Sequence, residues 1–341
     1  MKKKFFYIFF NFLKFFILIS VLFIIFFLIT QIIDGLADYI KYHKTFIFKN
    51  YLYNCPLLFV QVSPIITILS SMLILSEMIK NNELKVMLIS GIKPLYIFSI
   101  FLTCGVFSSL ISFSVKNFIS PHLIKKINLQ ISKTSISFSS SNYFFYSEKI
   151  TGNLFINIEF TEYTQNGEII TIKAEKAENY KENNWIFEKG FLWKFDKEKN
   201  LIKEEKFKIK NLKIPLTSEI LLISNIDVEK FSFFQLFKII KKMESLKLKP
   251  VRLITYLNEK ISYPLLNFFI VFVIYPVFKK GEKISTLYVF SFSFLFSLFA
   301  YGIYIFFFSL SKNGKFPPIL GCWILHIGII IYFLLKEKKF E

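Results

Sequence analysis

The sequence has a single arginine, Arg252, although lysine and arginine together number 43 and the formal net charge is +19. Nucleic-acid-binding proteins usually read their targets through arginine-rich surfaces and recognisable motifs. This chain has neither an arginine cluster nor such a motif. Its abundant lysine, phenylalanine, isoleucine and asparagine are typical of the coding bias of an AT-rich genome. The positive charge therefore does not predict a nucleic-acid partner.

Residues suited to catalysis are also scarce. No His-Glu-x-x-His pattern is present, and no Gly-x-x-x-x-Gly-Lys-Ser/Thr loop could hold the phosphates of a nucleotide. The cysteines lie in or beside apolar segments without metal-ligand spacing. The histidines and cysteines are His43, His122, His326, Cys55, Cys104 and Cys322. We predict neither an enzyme nor a cofactor or metal site, so any work driven by ATP requires a separate ATPase subunit.

Long apolar segments, in contrast, are frequent. A helix needs about 20 mostly apolar residues to cross a bilayer, and six segments qualify. They are Phe5–Ile33, Pro56–Leu75, Pro94–Val115, Ile261–Phe278, Ser285–Leu310 and Pro318–Leu335, with Lys14 the only full charge deep in any of them. The first is too long for the apolar core of a cleaved signal peptide, so we expect it to remain as an anchor.

Lysines in the short loops predict the orientation, because the cytoplasmic loops of membrane proteins are enriched in positive residues. They favour a multi-pass protein of the bacterial inner membrane with both termini in the cytoplasm. The chain then divides into spans 1–3 at residues 1–122, an inserted domain at 123–226, a connector helix at 227–250 and spans 4–6 at 251–341. The inserted domain would lie in the periplasm.

The inserted domain alternates apolar and polar residues from Ser132 to Leu222, which is typical of half-buried strands. The best candidates are Tyr143–Lys149, Asn153–Phe160, Glu168–Ala174, Asn184–Glu188, Phe191–Phe195 and Lys206–Ile214. Short strands separated by polar turns predict an antiparallel sandwich or open barrel. The aromatic residues could fill a core or line a lipid groove: Phe155, Phe160, Trp185, Phe187 and Trp193.

A short amphipathic helix is predicted at residues 79–92, in the loop after the second span. Asn81 or Asn82 can cap it, Glu83 lies in its first turn where the helix dipole favours an acid, and Ser90-Gly91 can end it. Its apolar face is formed by Leu84, Met87 and Leu88. The helix could be a simple hairpin connection at the membrane surface or a surface for another subunit.

Taken in order, these features resemble the LptF/LptG permeases, membrane subunits of the ATP-driven lipopolysaccharide exporter of diderm bacteria. The resemblance covers nearly the whole chain. Asn82-Glu83-Leu84, followed by Val86-Met87 and Ser90-Gly91, is similar to the family's cytoplasmic coupling helix. Prolines and glycines also lie where the family tends to place them: Pro64, Ser120-Pro121, Pro264, Pro276, Gly314 and Pro317-Pro318. The spacing from Phe231 to Pro276 and the Pro317-Pro318 pair slightly favour the LptG-like member.

The resemblance implies six transmembrane helices with an inserted periplasmic β-jellyroll, and an ABC-type permease that passes lipopolysaccharide or a related amphiphile to a bridge. It implies an LptB-like ATPase, a paralogous LptF/LptG-like permease and an LptC/LptA-like bridge as partners. Glu83 matches the acid that meets a basic residue of the ATPase. The residues expected to shape the docking surface are Leu84, Met87, Leu88 and Gly91.

The family's basic residues near the outer end of the first span face the phosphorylated lipid head. This chain has Gln31, Asp34 and Asp38 in that region, with Lys41 and Lys44 further out. The two lysines are therefore candidates for lipid head-group contacts or ordinary lysines at the membrane interface.

Three other classes of protein fit the sequence less well. A periplasmic binding or assembly module on a six-helix anchor would have no transport role, and it would not need a shaped cytoplasmic helix. A mechanotransmitting ABC protein carries four spans with its large domain after the first, which does not match an insertion at the midpoint. A membrane-embedded enzyme lacks a nucleophile–base pair or metal-ligand cluster.

Overall fold

The computed structural model describes residues 2–42, 48–128, 136–139, 143–151, 154–164, 167–181, 184–214, 221, 228, 231–245, 249–275 and 285–338. The chain divides into two compact units. The first contains residues 1–127, 229–237 and 251–341, and the second contains residues 128–228 and 238–250.

Six helices in the described part of the chain are long and apolar enough to span a membrane, which confirms the predicted number. The helices are α1 (Lys2–Tyr42), α2 (Phe48–Lys80), α3 (Glu83–Ile89), α4 (Pro94–Ser114), α5 (Ser120–Asn128), α6 (Phe233–Ser245), α7 (Val251–Ile270), α8 (Thr286–Lys312) and α9 (Pro318–Lys338). A π-helical turn, Val115–Ile119, joins α4 to α5, and a 3₁₀ turn, Val271–Ile274, follows α7.

Five of the six spans have bounds that differ from those predicted, and in the third and fourth the difference brings buried charged residues into the span. The third continues to Ile124 instead of ending at Val115, and the fourth begins at Val251 instead of Ile261. These bounds bring Lys116, Glu259 and Lys260 inside spanning helices. The prediction that Lys14 is the only full charge deep in a span is therefore wrong. Hydropathy excludes charged residues from a predicted span because it takes no account of partners inside the fold.

The helix α2 lies at the centre of the transmembrane unit. Of its most apolar membrane-spanning stretch, 72% is buried, against 22% for the corresponding stretches of α1 and α8. It packs against α1, α4, α7 and α8. The shared core includes side chains of α1, α2, α4 and α7, for example Phe12, Ile66, Met72, Phe101 and Ile270. A helix enclosed in this way can carry polar side chains, because they contact other helices and not lipid.

The second unit contains a six-stranded antiparallel sheet, so the prediction of a helical membrane protein with an inserted β domain is confirmed. The strands are β1 (Ile136–Ser139), β2 (Tyr143–Thr151), β3 (Leu154–Tyr163), β4 (Ile169–Lys181), β5 (Asn184–Phe195) and β6 (Leu201–Lys213). Strands that are consecutive in the chain are neighbours in the sheet, which is a meander. A jellyroll distributes its strands over two sheets, whereas the strands described here form one.

The predicted strands Asn184–Glu188 and Phe191–Phe195 are a single strand, β5. Lys189 has a positive φ of 50° and shifts the alternation, so that Trp185 and Phe187 are buried before it and Gly190 is buried after it. The sequence pattern breaks at this point although the strand does not. The short strand β1 was not among the predicted strands.

A similar shift occurs in β3 at Asn157, whose φ is 51°. Phe155 is buried before it, and Ile158 and Phe160 are buried after it. The strand register places Asn157 and Lys189 on either side of Glu175 in β4, so the two irregular residues lie in one row across the sheet. The pairing keeps the same register on both sides of this row, so no residue is inserted. The strands shift their alternation together, and their apolar side chains stay on the same face.

Five buried aromatic side chains of the β domain fill its inner face. Phe145, Phe155 and Trp185 have ring centroids 5.2–5.6 Å apart, and all three are fully buried. Phe160 and Phe187 are also buried, as expected for core residues. Trp193 is half-buried, and its indole N–H donates a hydrogen bond of 3.1 Å to Glu204.

Replacing Gly190 with valine is expected to destabilise the β domain. A Cβ at this position would lie 2.3 Å from the carbonyl oxygen of Lys173 and 2.7 Å from Cζ of Phe207. Overpacking of this kind typically costs about 1–3 kcal/mol. Hydrogen exchange of β4, β5 and β6 in the full-length protein should become faster. Glu188→Val is the control, because it places valine at an exposed position of the same strand. Equal exchange in the two variants would contradict the close approach at Gly190.

Candidate functional site

The candidate docking site is the short helix α3 and the turns that begin and end it. Asn82 precedes the helix in the left-handed conformation, with φ 59°, and its carbonyl accepts a 3.0 Å hydrogen bond from the N–H of Val86. Its side chain makes no capping hydrogen bond, contrary to the predicted cap. Asparagine tolerates this conformation better than most residues, so the chain can turn sharply between α2 and α3.

The other end of α3 is a Schellman motif. The N–H of Ile92 bonds to the carbonyl of Met87 at 3.2 Å, and the N–H of Gly91 bonds to the carbonyl of Leu88 at 3.0 Å. Gly91 has a φ of 81°, which only glycine adopts without strain. Gly91, expected to shape a docking surface, therefore has a structural role in ending the helix.

Leu84, Met87 and Leu88 lie on one face of α3, as predicted, and that face is directed toward the core of the chain itself. Leu84 and Met87 are 2% and 8% exposed and belong to the transmembrane core, while Leu88 is half-buried against it. The exposed apolar residues are Val86 and Ile89, at 63% and 76%. A short helix with one apolar face can direct that face inward or outward, and periodicity alone does not distinguish the two. The predicted apolar face holds α3 on its own chain.

Glu83 lies in the first turn of α3, and its side chain is partly exposed. The hydroxyl of Tyr7, near the start of α1, donates a 3.1 Å hydrogen bond to Oε1 of Glu83. The carboxylate is thus close enough to solvent to meet another protein, and one of its oxygens is oriented by the chain itself.

Of the two candidate lipid-contact lysines, the structure describes one. Lys41 lies in the last turn of α1 and is exposed. Lys44 lies outside the described residues. The structure does not bring Lys41 to the α3 site, because the two lie at opposite ends of spans α1 and α2.

A second polar site, not predicted from the sequence, lies between the third and fourth spans. Lys116, 6% exposed, forms an ion pair with Glu259 on α7. The ammonium nitrogen of Lys116 is also 4.9 Å from the ring centroid of Tyr263. Buried charges require a partner and further polar contacts, so this pair fixes the π-helical turn against α7.

Asn117, the next residue, connects three parts of the transmembrane unit. Pro264 has no N–H, so the carbonyl of Lys260 one turn earlier in α7 lacks its usual helical partner. The side-chain amide of Asn117 approaches that carbonyl at 3.4 Å. Its Oδ1 accepts a 3.1 Å hydrogen bond from the backbone N–H of Phe233, the first residue of α6.

Pro64 likewise leaves a carbonyl of α2 without its helical hydrogen-bond partner, and the neighbouring Ser63 donates to that carbonyl. The carbonyl of Val60 accepts a 2.9 Å hydrogen bond from the hydroxyl of Ser63. Ser63 also lies 2.9 Å from the hydroxyl of Ser112 on α4 and accepts a 3.1 Å hydrogen bond from Asn267 on α7. The polar contacts around the proline thus link α2, α4 and α7.

The network extends to the last two spans. Ser262 on α7 lies 3.0 Å from the hydroxyl of Tyr304 on α8, and its carbonyl is 2.9 Å from Nε2 of His326 on α9. His326 is therefore a core residue with a backbone partner. A serine, a tyrosine and a histidine in apolar segments give no periodic signal, so sequence analysis could not have brought them together.

Gly91→Val is expected to loosen the end of α3, whereas Gly91→Asn should preserve it. A β-branched residue at positive φ is strained, and the left-handed conformation costs most residues about 1–2 kcal/mol but asparagine less. Asparagine is the usual substitute for glycine at this position. Amide exchange at position 91 and at Ile92 in lipid nanodiscs should accelerate in the valine variant only. Acceleration in neither variant would contradict a stabilising role for the Schellman motif.

The Lys116–Glu259 pair should show strong coupling. Lys116→Met or Glu259→Met alone leaves a buried charge without its partner, at a cost of about 3–5 kcal/mol, whereas the double variant should recover most of the loss. Thermal unfolding in detergent compares the stability of the wild type, the two single variants and the double variant. The pair Lys189 and Glu175, 72% and 61% exposed, is the control and should change stability by less than about 1 kcal/mol. Additive losses at Lys116 and Glu259 would show that the two do not act as a pair.

Comparison with known proteins identifies a family. The family model described as lipopolysaccharide export system permease LptF/LptG matches residues 6–336, nearly the whole chain. It does not distinguish the LptF-like from the LptG-like member. None of the curated proteins matches the chain.

Proposed function

We propose a specific role for this chain in lipid export, on the premise that it belongs to the LptF/LptG family, the permease component of the lipopolysaccharide export system. In this proposal the chain is half of an ABC-type permease in the bacterial inner membrane. It pairs with a paralogous LptF/LptG-like permease, and an LptB-like ATPase supplies the energy. The transported lipid is lipopolysaccharide or a related amphiphile.

The observation that carries the proposal is the outward face of α3. Glu83, Val86 and Ile89 are spaced three residues apart, so they lie along one side of the helix. Leu84 and Met87 anchor the other side in the transmembrane core. An acid beside two exposed apolar side chains, rigidly supported, fits a groove that has apolar walls and a basic residue. The docking surface is therefore Glu83, Val86 and Ile89, with Leu84, Met87 and Leu88 as its support.

The seam to a second permease is proposed along α1 and α8. These are the least buried spans of the part that the structure describes, together with α9. The exposed face of α8 includes Leu298, Phe299, Gly302 and Phe306, around an apolar cavity of about 520 Å³. A Cβ added at Gly302 would meet nothing within 4 Å, which leaves room for a close approach by another helix. Two such chains would enclose a lipid between them.

The β domain is proposed as the exit platform. With both termini in the cytoplasm, it lies in the periplasm and passes lipid to an LptC/LptA-like bridge. Closure of the ATPase dimer would move α3 through Glu83 and narrow the lipid cavity. Lys41 and Lys44 are proposed contacts for the lipid phosphates, since basic residues near the outer end of the first span would meet those groups.

Glu83→Ala is expected to weaken association with the ATPase while membrane insertion stays intact. Loss of a charged partner at a protein interface costs about 2–5 kcal/mol when the pair is buried, which corresponds to at least tenfold in affinity. The measurement is co-purification of the ATPase, followed by titration of ATPase into nanodiscs that contain the permease.

Glu77→Ala is the matched control, because Glu77 is an exposed acid at the same end of α2. Leu84→Ala should instead lower the thermal stability of the permease, since Leu84 is buried. Unchanged ATPase binding by Glu83→Ala would refute the docking assignment. Recovery of the wild-type chain without an ATPase, a second permease or lipid would favour the anchored periplasmic module over the exporter.

A further inference from the structure

Glu83 is held by a residue that the docking proposal does not use. The hydroxyl of Tyr7 donates to its Oε1 at 3.1 Å, across 76 residues of chain. The side chain of Tyr7 is 46% exposed, so packing in the core does not explain its position beside Glu83. The contact joins the start of α1 to the first residue of α3.

The chemistry of this contact favours positioning. A tyrosine hydroxyl is a neutral donor, so the carboxylate keeps its negative charge. A carboxylate accepts several hydrogen bonds, and the bond at Oε1 leaves Oε2 free for a basic group of another protein. Glutamate has three side-chain torsions, and fixing them before binding lowers the ordering cost of association.

We propose that Tyr7 is a positioning residue that orients the Glu83 carboxylate for a lysine or arginine of the ATPase. The inference rests on the proposed function, because it deepens the role given there to Glu83. Tyr7 contacts no part of the partner in this proposal and acts through Glu83 alone.

The first test uses the permease alone, in nanodiscs. A water-soluble carbodiimide with an amine labels accessible carboxyl groups, and mass spectrometry measures the labelling rate of Glu83. Tyr7→Phe should raise that rate about fivefold, as expected for the loss of one hydrogen bond in water. Glu77 is the internal reference. Tyr39→Phe, at an exposed tyrosine near the other end of α1, is the matched control and should have no effect. An unchanged rate for Glu83 in Tyr7→Phe overturns the proposal.

The second test is a double-mutant cycle on ATPase affinity. Tyr7→Phe should weaken binding about fivefold in the wild-type background and have no effect in a Glu83→Ala background. Equal weakening in both backgrounds would mean that Tyr7 supports α1 independently of Glu83, which overturns the positioning role. If Glu83→Ala binds as tightly as wild type, the docking assignment fails and the positioning role fails with it. In that case the labelling result still shows whether Tyr7 and Glu83 are in contact.

Discussion

Two prolines inside apolar helices impose the constraint on which the transmembrane unit depends. A backbone carbonyl in a membrane needs a partner within the protein, because lipid offers none. Pro64 and Pro264 remove the partners of Val60 and Lys260, and the side chains of Ser63 and Asn117 take their place. Ser63 and Asn117 also bond to other helices. The side chains that satisfy the two carbonyls therefore connect the spans to one another.

The connections explain why α2 can be both polar and central. Its serines and threonine bond within the helix and to α4 and α7, so they are not exposed to lipid. The buried Lys116–Glu259 pair adds a charged contact between the π-helical turn and α7. The helix α3 packs on the buried helix α2, and Leu84 and Met87 join the shared core. The outward stripe of Glu83, Val86 and Ile89 is a consequence of that packing.

In the β domain, the apolar side chains of successive strands must stay on one face of the sheet. Asn157 and Lys189 adopt positive φ and shift the side-chain alternation in neighbouring parts of the sheet. The shift keeps Phe155, Ile158, Trp185 and Phe187 on the inner face. The residue after Lys189 must be a glycine, because the Lys173 carbonyl and the Phe207 ring leave no room for a Cβ at position 190.

The sequence by itself determined the number of spans, the inserted β domain, the family and the position of the short helix with Glu83 in its first turn. The family rests on a resemblance of short motifs in their order along the chain. The other features depend on local properties, namely run length, alternation and turn residues, which are carried by neighbours in the chain. Only the tertiary structure decided which face of α3 is buried, that β5 is one strand, and that Lys116 meets Glu259. Those outcomes depend on residues far apart in sequence, such as Tyr7 and Glu83 or Asn117 and Lys260, and hydropathy or periodicity contains no information on such pairs.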